Sequence, residues 1–154
     1  MTRGSGRLQF IPEVIPSVGS AFNVLGEAMT LQARSVDGSW SLFHVTTPAA
    51  AGPPPHHHPW EETHYVLDGE LEFRLGERVT RVTSGMSVQV PPDTLHSYVA
   101  QSPCGARFLT LVSPAGVERM FEALQQASSS GDMGRVVQIA REHGVRAVVP
   151  SAAE

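Results

Sequence analysis

The sequence contains no lysine, because all eleven of its basic residues are arginines. A protein without lysine cannot form a lysine Schiff base or bind phosphate through a P-loop lysine, so two large classes of enzyme are excluded. The arginines are scattered along the chain and the formal net charge is -4. This distribution lacks the clustered positive charge that binds nucleic acid or an anionic membrane. We therefore expect neither a nucleic-acid partner nor a membrane partner.

Cysteine and long apolar runs are also scarce. Cys104 is the only cysteine, so an internal disulfide and a multi-cysteine zinc site are excluded, and we expect Cys104 to be a small buried hydrophobic residue. Residues 1–9 lead into no apolar stretch of signal-peptide length, and no run is long enough to span a membrane. The sequence therefore predicts a cytoplasmic protein in which histidine and carboxylate side chains hold any metal.

Glycine and proline, by contrast, are frequent, with 14 and 12 copies in 154 residues. From Phe22 onward, short apolar runs alternate with turn signals such as Asp37-Gly38 and Asp68-Gly69, at intervals of about 8–12 residues. Residues 70–75 alternate polar with apolar side chains, the period of a strand that has one wet face. The length suits one domain, and the pattern predicts an all-β core, either a barrel or a sandwich.

The hydrophobic period changes after Ser113. Four apolar residues then follow the spacing of one helix face, namely Val117, Met120, Phe121 and Leu124. Pro114 is suited to the first position of this helix, Asp132 to the N-cap of a second one, and Gly144 to its end. The predicted organisation is an irregular arm over residues 1–20, a β core over 21–113, and a helical extension over 114–154 with a possible last strand.

Four of the seven histidines lie within nine residues, at positions 56, 57, 58 and 64. A solvated loop bordered by prolines is one explanation of this cluster, and a metal site is the other. In extended backbone His56 and His58 project to the same side and His57 points away. Glu62 begins the next predicted strand and reaches the same face if the alternation resumes after Pro59. The spacing therefore indicates two imidazoles and one carboxylate around a single ion.

These residues resemble the two sequence motifs of the cupin superfamily. The first is His56-x-His58, three residues, Glu62, six residues and Gly69; the second is Gly85, five residues, Pro91, Asp93, two residues and His96. Three positions depart from the family pattern. Ala50 stands where the first motif begins with glycine, Asp93 where the second usually has glycine, and Ala100 where it ends with asparagine. All four ligand positions of the pattern are intact.

The resemblance implies a small cupin-type β-barrel, of the jelly-roll or double-stranded β-helix kind, followed by two C-terminal helices. It implies one divalent metal ion held by His56, His58, Glu62 and His96, with Mn, Fe, Co, Ni, Cu and Zn all compatible with nitrogen and oxygen ligands. The segment Pro53–Gly69 and the tail from Pro114 are similar to single-domain quercetinase-like cupins. That similarity implies an oxygenase for a small enolic or phenolic compound.

Three alternatives to an oxygenase stay open. The protein could be a non-catalytic small-molecule-binding or sensor cupin, a metal-dependent isomerase or decarboxylase, or a fold stapled by a structural metal. Fold alone does not choose between them. Because single-domain cupins commonly pair and the arm over residues 1–20 carries apolar residues with few partners, we also expect a homodimer.

Two further residues lie two positions from a predicted ligand in the same strand, so their side chains point to the same face as that ligand. His64 lies two positions after Glu62 and therefore points to the same strand face, which makes it a candidate catalytic residue. Glu62 is the other candidate, since it could loosen from the metal and take a proton, as the resemblance to quercetinases suggests. Tyr98 has the parity of His96 and is a candidate substrate-binding residue. A hydrogen-bonded core histidine and a packed tyrosine are the respective alternatives.

Overall fold

The structure is a computed structural model that describes residues 19–148. The expected N-terminal arm lies almost entirely outside the described residues, as does the end of the possible last strand at Val149. No helix within residues 19–148 is long and apolar enough to cross a membrane.

Eleven strands and two helices make up the described chain. The strands are β1 Ala21–Val24, β2 Glu27–Arg34, β3 Ser41–Thr47, β4 His56–His57, β5 Glu61–Asp68, β6 Glu70–Leu75, β7 Arg78–Thr83, β8 Ser87–Val90, β9 His96–Ala100, β10 Ala106–Ser113 and β11 Arg146–Ala147. The helices α1 (Glu118–Ser129) and α2 (Met133–Glu142) lie between β10 and β11. The predicted all-β core with two C-terminal helices is confirmed.

The strands form two antiparallel sheets. One has six strands in the order β1-β2-β3-β10-β5-β8, and the other has five in the order β11-β4-β9-β6-β7. No backbone ladder among the described strands joins the two sheets into a closed barrel. The turn signal Asp37-Gly38 lies between β2 and β3, which pair as an antiparallel hairpin with Arg34 opposite Ser41.

The core lies between the two sheets. Phe43 and Phe108 from the six-stranded sheet and Phe73 from the five-stranded sheet are each at most 1% exposed. The Tyr98 ring of the five-stranded sheet meets Phe108 edge to face at 5.3 Å between centroids. These side chains alternate with exposed ones along their strands because successive side chains of a strand point to opposite faces.

Helix α1 differs from the sequence prediction at its start. Helix α1 begins at Glu118 rather than Pro114, because Gly116 adopts a φ of 121°, which lies outside the helical region. Its expected apolar face is otherwise confirmed, with Met120 and Leu124 buried. Asp132 caps α2 as predicted, its side chain accepting from the Arg135 backbone N–H. The prediction for Cys104 was wrong: it lies exposed in the turn before β10.

Candidate metal centre

Three histidines from two neighbouring strand segments converge at one end of the five-stranded sheet. His56 in β4 pairs directly with His96 in β9, and His58 follows two residues after His56. One ring nitrogen from each of the three lies within 4.8 Å of the other two. His57 is not part of this cluster, in agreement with the alternation argument; its backbone pairs with Arg146 on the opposite edge of β4.

Backbone carbonyls fix the orientation of all three rings. Nδ1 of His56 lies 2.8 Å from the Pro54 oxygen, Nδ1 of His58 lies 3.0 Å from the Trp60 oxygen, and Nδ1 of His96 lies 2.7 Å from the Thr94 oxygen. A carbonyl can only accept, so each Nδ1 carries the proton. In a neutral ring the lone pair is then on Nε2. Histidine ligands of metals are commonly oriented in this way by their other ring nitrogen.

Glu62 lies against the same cluster. Its Oε2 atom is 3.4 Å from Nε2 of His58, 3.5 Å from Nε2 of His96 and 3.3 Å from Nε2 of His64. Its side chain is 12% exposed. Burial alone would raise the pKa of the Glu62 carboxyl, but the contacts with His58, His64 and His96 outweigh it and hold that pKa well below its usual range. Glu62 is therefore a carboxylate.

The arrangement fits a divalent cation. Nε2 of His58, His64 and His96 is buried, and within the described chain none of these atoms has a hydrogen-bond partner. Unpaired buried polar atoms of this kind are costly and need an explanation. Lone pairs on His58 and His96 that face a carboxylate oxygen repel it unless a positive charge lies between them. A metal ion that accepts the lone pairs of His58 and His96 removes this repulsion and gives a partner to two of the three unpaired nitrogens. Imidazole with carboxylate is a common ligand set for such ions.

His56 is the most accessible member of the cluster. Burial first, and then the neighbouring His96, lower the pKa of its imidazole to about 4. The ring is therefore neutral near pH 7, which is the form that can bind a metal. The structure thus brings together all four predicted ligands: one ring nitrogen each of His56, His58 and His96 lies within 4.8 Å of the others, and Glu62 contacts His58 and His96.

His64 lies beside the ligands, as its parity predicted. Its side chain is buried, and its ring contacts Phe73, Tyr98 and Phe108 at centroid distances of 5.3–5.8 Å. Nδ1 lies 2.9 Å from the Thr110 hydroxyl oxygen. A hydroxyl can donate or accept, so this contact does not fix the position of the ring proton. Among the four imidazoles of the site, His64 is therefore the one whose tautomer is not fixed by a backbone carbonyl.

Tyr98 points into the interior, but its hydroxyl is bound by a residue that sequence reasoning missed. The hydroxyl oxygen lies 2.9 and 3.1 Å from the two carboxylate oxygens of Glu27, and the Thr47 hydroxyl donates to the same carboxylate. Glu27 is only 4% exposed. Glu27 is separated by two and four positions from Met29 and Leu31, whose side chains are buried in β2. This alternation could have predicted that the Glu27 side chain also points into the core.

Trp60 covers the cluster from the side of the β4–β5 connection. Its ring stacks on that of His58 with centroids 4.2 Å apart and an angle of 7° between the planes. Its Nε1–H donates to Oε1 of Glu62 at 3.4 Å. Trp60 thus contacts two of the four candidate ligands.

The two departures from the glycine pattern are accommodated by the backbone. Ala50 and Asp93 adopt φ values of 60° and 58°, so both positions keep the left-handed conformation that glycine favours. The Asp93 backbone N–H donates to the His58 carbonyl at 2.7 Å, which joins the loop before β9 to the first ligand segment. Gly52 is required for a different reason, since a Cβ there would lie 1.8 Å from the Tyr98 carbonyl oxygen.

Comparison with known proteins identifies the sequence pattern and the fold. A family model described as a cupin domain matches residues 43–112. An RmlC-like cupin from Shewanella frigidimarina NCIMB 400 superposes with a TM-score of 0.58 at 21% identity, covering 65% of this chain and 87% of that one. No curated protein matches the sequence.

Two enzymes of solved structure have similar folds. The polyketide cyclase RemF from Streptomyces resistomycificus gives a TM-score of 0.56 at 21% identity, over 67% of this chain and 80% of that one. The nucleoside dehydratase Pac13, from Streptomyces, gives 0.55 at 23% identity, over 65% and 79%. At these identities the similarity concerns the fold.

Proposed function

Since this chain belongs to the cupin superfamily, we propose that its histidine cluster binds one divalent metal ion and that the protein is a metal-dependent oxygenase acting on a small enolic or phenolic compound. The observation that carries the proposal is the contact of one Glu62 oxygen with three buried, unpaired imidazole nitrogens. A structural metal site usually closes all of its positions with protein ligands, whereas here an additional imidazole, that of His64, lies against Glu62 outside the proposed ligand set.

The ligand set in this proposal is Nε2 of His56, His58 and His96 together with the Glu62 carboxylate. The bound ion would act as a Lewis acid that favours the deprotonated form of an enol or phenol. Three neutral imidazoles and one carboxylate around a divalent ion leave a net charge of about +1, which attracts an anionic oxygen of the substrate. Six-coordination leaves two positions open.

Proton transfer in this proposal is carried by Glu62 and His64. The Glu62 carboxylate would take the proton of the substrate hydroxyl, because it is ionised and lies against the histidine ligands. His64, whose Nε2 lies 3.3 Å from Oε2 of Glu62, could receive that proton at Nε2 while its Nδ1 stays in contact with the Thr110 hydroxyl. Tyr98 contacts the His64 ring, and its hydroxyl donates to Glu27.

A redox-neutral reaction is the second candidate function. The same carboxylate–imidazole pair can move a proton without consuming oxygen, as a lyase, cyclase, isomerase or decarboxylase would require. The folds of a nucleoside dehydratase and a polyketide cyclase resemble this one, which supports keeping this class beside the oxygenase.

Oxygen uptake by metal-loaded protein separates these functions. Metal-free protein would be reconstituted separately with Mn, Fe, Co, Ni, Cu and Zn and mixed with flavonols, catechols and diketones in an oxygen electrode. Metal-dependent uptake supports the oxygenase; product formation with no uptake supports the redox-neutral class. Ligand binding without turnover for any metal would make the protein a binder. His57→Ala is the matched control for His96→Ala, since only His96 lies in the cluster.

A further inference from the structure

A second space adjoins the metal centre on the other side of Trp60. A cavity of about 340 Å³ is lined by Pro59 and Trp60 and by three other parts of the chain: the loop from Pro114 to Val117, Met120 in α1, and His143. None of the four candidate metal ligands lines it. Its size falls in the range of small-molecule sites, about 300–1,000 Å³. The indole of Trp60 is therefore shared between the cavity and the metal ligand on which it stacks.

The chemistry of the walls selects the kind of ligand. Trp60, Pro59, Val117 and Met120 provide flat or apolar surfaces, and among the described lining residues there is neither a carboxylate nor an arginine. The one titratable side chain is His143. Its Nδ1 lies 3.0 Å from the Ile139 carbonyl oxygen and therefore donates, which leaves Nε2 as a hydrogen-bond acceptor.

We propose that this cavity binds the aromatic ring of a phenolic compound, with the ring against Trp60 and the hydroxyl donating to Nε2 of His143. A flat apolar wall with a single acceptor suits an uncharged aromatic ring that carries one hydroxyl. The proposal rests on the proposed function in one respect, namely that the cavity holds substrate next to the metal centre. Binding in the cavity itself requires no metal.

Equilibrium dialysis of metal-free protein tests this site directly. The probe is 2-naphthol, which is planar and has no second oxygen with which to chelate a metal. The comparison ligand is 2-methoxynaphthalene, which has the same ring system but cannot donate a hydrogen bond. We expect saturable binding of one 2-naphthol per chain and about fivefold weaker binding of the methyl ether, the loss of one ordinary hydrogen bond.

Four variants assign the binding to the cavity. Ala115→Phe fills the space from the loop without touching a candidate ligand, and it should abolish binding. Trp60→Ala should weaken both ligands, and Trp40→Phe, the matched control at the other tryptophan, should weaken neither. His143→Phe should remove the preference for 2-naphthol over its ether. Circular dichroism of each variant checks that the fold is retained.

Either of two results would overturn the proposed binding site. Non-saturable binding of 2-naphthol, or binding that survives Ala115→Phe in a folded protein, rejects the cavity as the site. Because these measurements use metal-free protein, their result does not depend on the result of the oxygen-uptake experiment. Saturable binding without turnover would leave the cavity assignment intact and reject the oxygenase.

Discussion

Nε2 of His64 lies 3.3 Å from Oε2 of Glu62, the same oxygen that contacts His58 and His96. The two residues share a strand face because they are two positions apart in β5. His64 thus touches the carboxylate without belonging to the group of three histidines whose nitrogens lie closest together. Its position against the carboxylate suits a proton carrier in the proposed metal site.

We predict that His64→Phe keeps the metal and lowers turnover, or ligand affinity if there is no turnover, by about tenfold or more, within the range of general acid–base contributions. Phenylalanine retains the packing against Phe73 and Phe108 but removes both ring nitrogens. Elemental analysis gives the metal content, and steady-state kinetics gives the turnover. Full metal together with full activity would assign His64 to packing alone.

Loss of a ligand should remove the metal but not the fold. We predict that His56→Ala and His96→Ala each weaken metal binding by more than about 100-fold, beyond the effect known for residues that only support ligands. Both variants should stay folded, because the core consists of the aromatic and aliphatic side chains between the sheets. Metal titration and thermal melting check the two statements.

His57→Ala is the control for this experiment. Its side chain is next to two ligands in sequence but lies outside the cluster, so metal affinity should be unchanged. Equal losses for His57→Ala and His56→Ala would contradict the alternation of side chains along β4. An unfolded metal-free protein would instead make the metal structural.

The ligand positions could be predicted from sequence because their spacing follows a local rule. Side chains two positions apart in a strand point to the same face. This rule predicted that His56 lies with His58 and Glu62 with His64. The pairing of β4 with β9, which brings His96 opposite His56, is a contact across 40 positions that only the resemblance to a family supplied.

Two contacts of the site could not be found from local patterns. Glu27 joins Tyr98 across 71 positions, and a carboxylate at the start of a strand is ordinarily exposed. The stacking of Trp60 on His58 depends on the turn between β4 and β5, which no periodicity describes. The start of α1 was misplaced because Pro114 suits a helix, while the conformation of Gly116 two residues later prevents one.

Ala50 should tolerate the glycine that the family pattern has at its position. Its φ of 60° lies in the left-handed region, which costs an L-residue about 1–2 kcal/mol, whereas the added freedom of glycine in the unfolded chain costs about 0.5–1 kcal/mol. We therefore predict that Ala50→Gly raises the free energy of unfolding by about 0.5–1 kcal/mol. Urea denaturation measures the change, and a destabilised variant would show that the alanine methyl group makes a packing contact worth more than the strain.

Glu27 should make the stability of the protein depend on pH. Burial raises the pKa of its carboxyl above 4.5, against the opposing hydrogen bonds from Thr47 and Tyr98. The folded protein therefore holds this proton at pH values where the unfolded chain has released it. The contribution to stability is complete below about pH 4.5 and is lost as the pH rises through the folded-state pKa, with a slope of up to about 1.4 kcal/mol per pH unit.

Glu27→Gln removes the titrating group while keeping the shape and an acceptor for the Tyr98 hydroxyl. We predict that metal-free wild type loses more stability than Glu27→Gln as the pH rises from 4.5 towards 7, and that their free energies of unfolding differ least at the acid end. The metal ligands titrate in both proteins, so the difference between the two pH curves isolates Glu27. Urea denaturation across this pH range provides the curves. Parallel curves would mean that Glu27 has the same pKa in the folded and unfolded chains, and its carboxyl would then be ionised inside the core with the Tyr98 and Thr47 hydroxyls as sufficient partners.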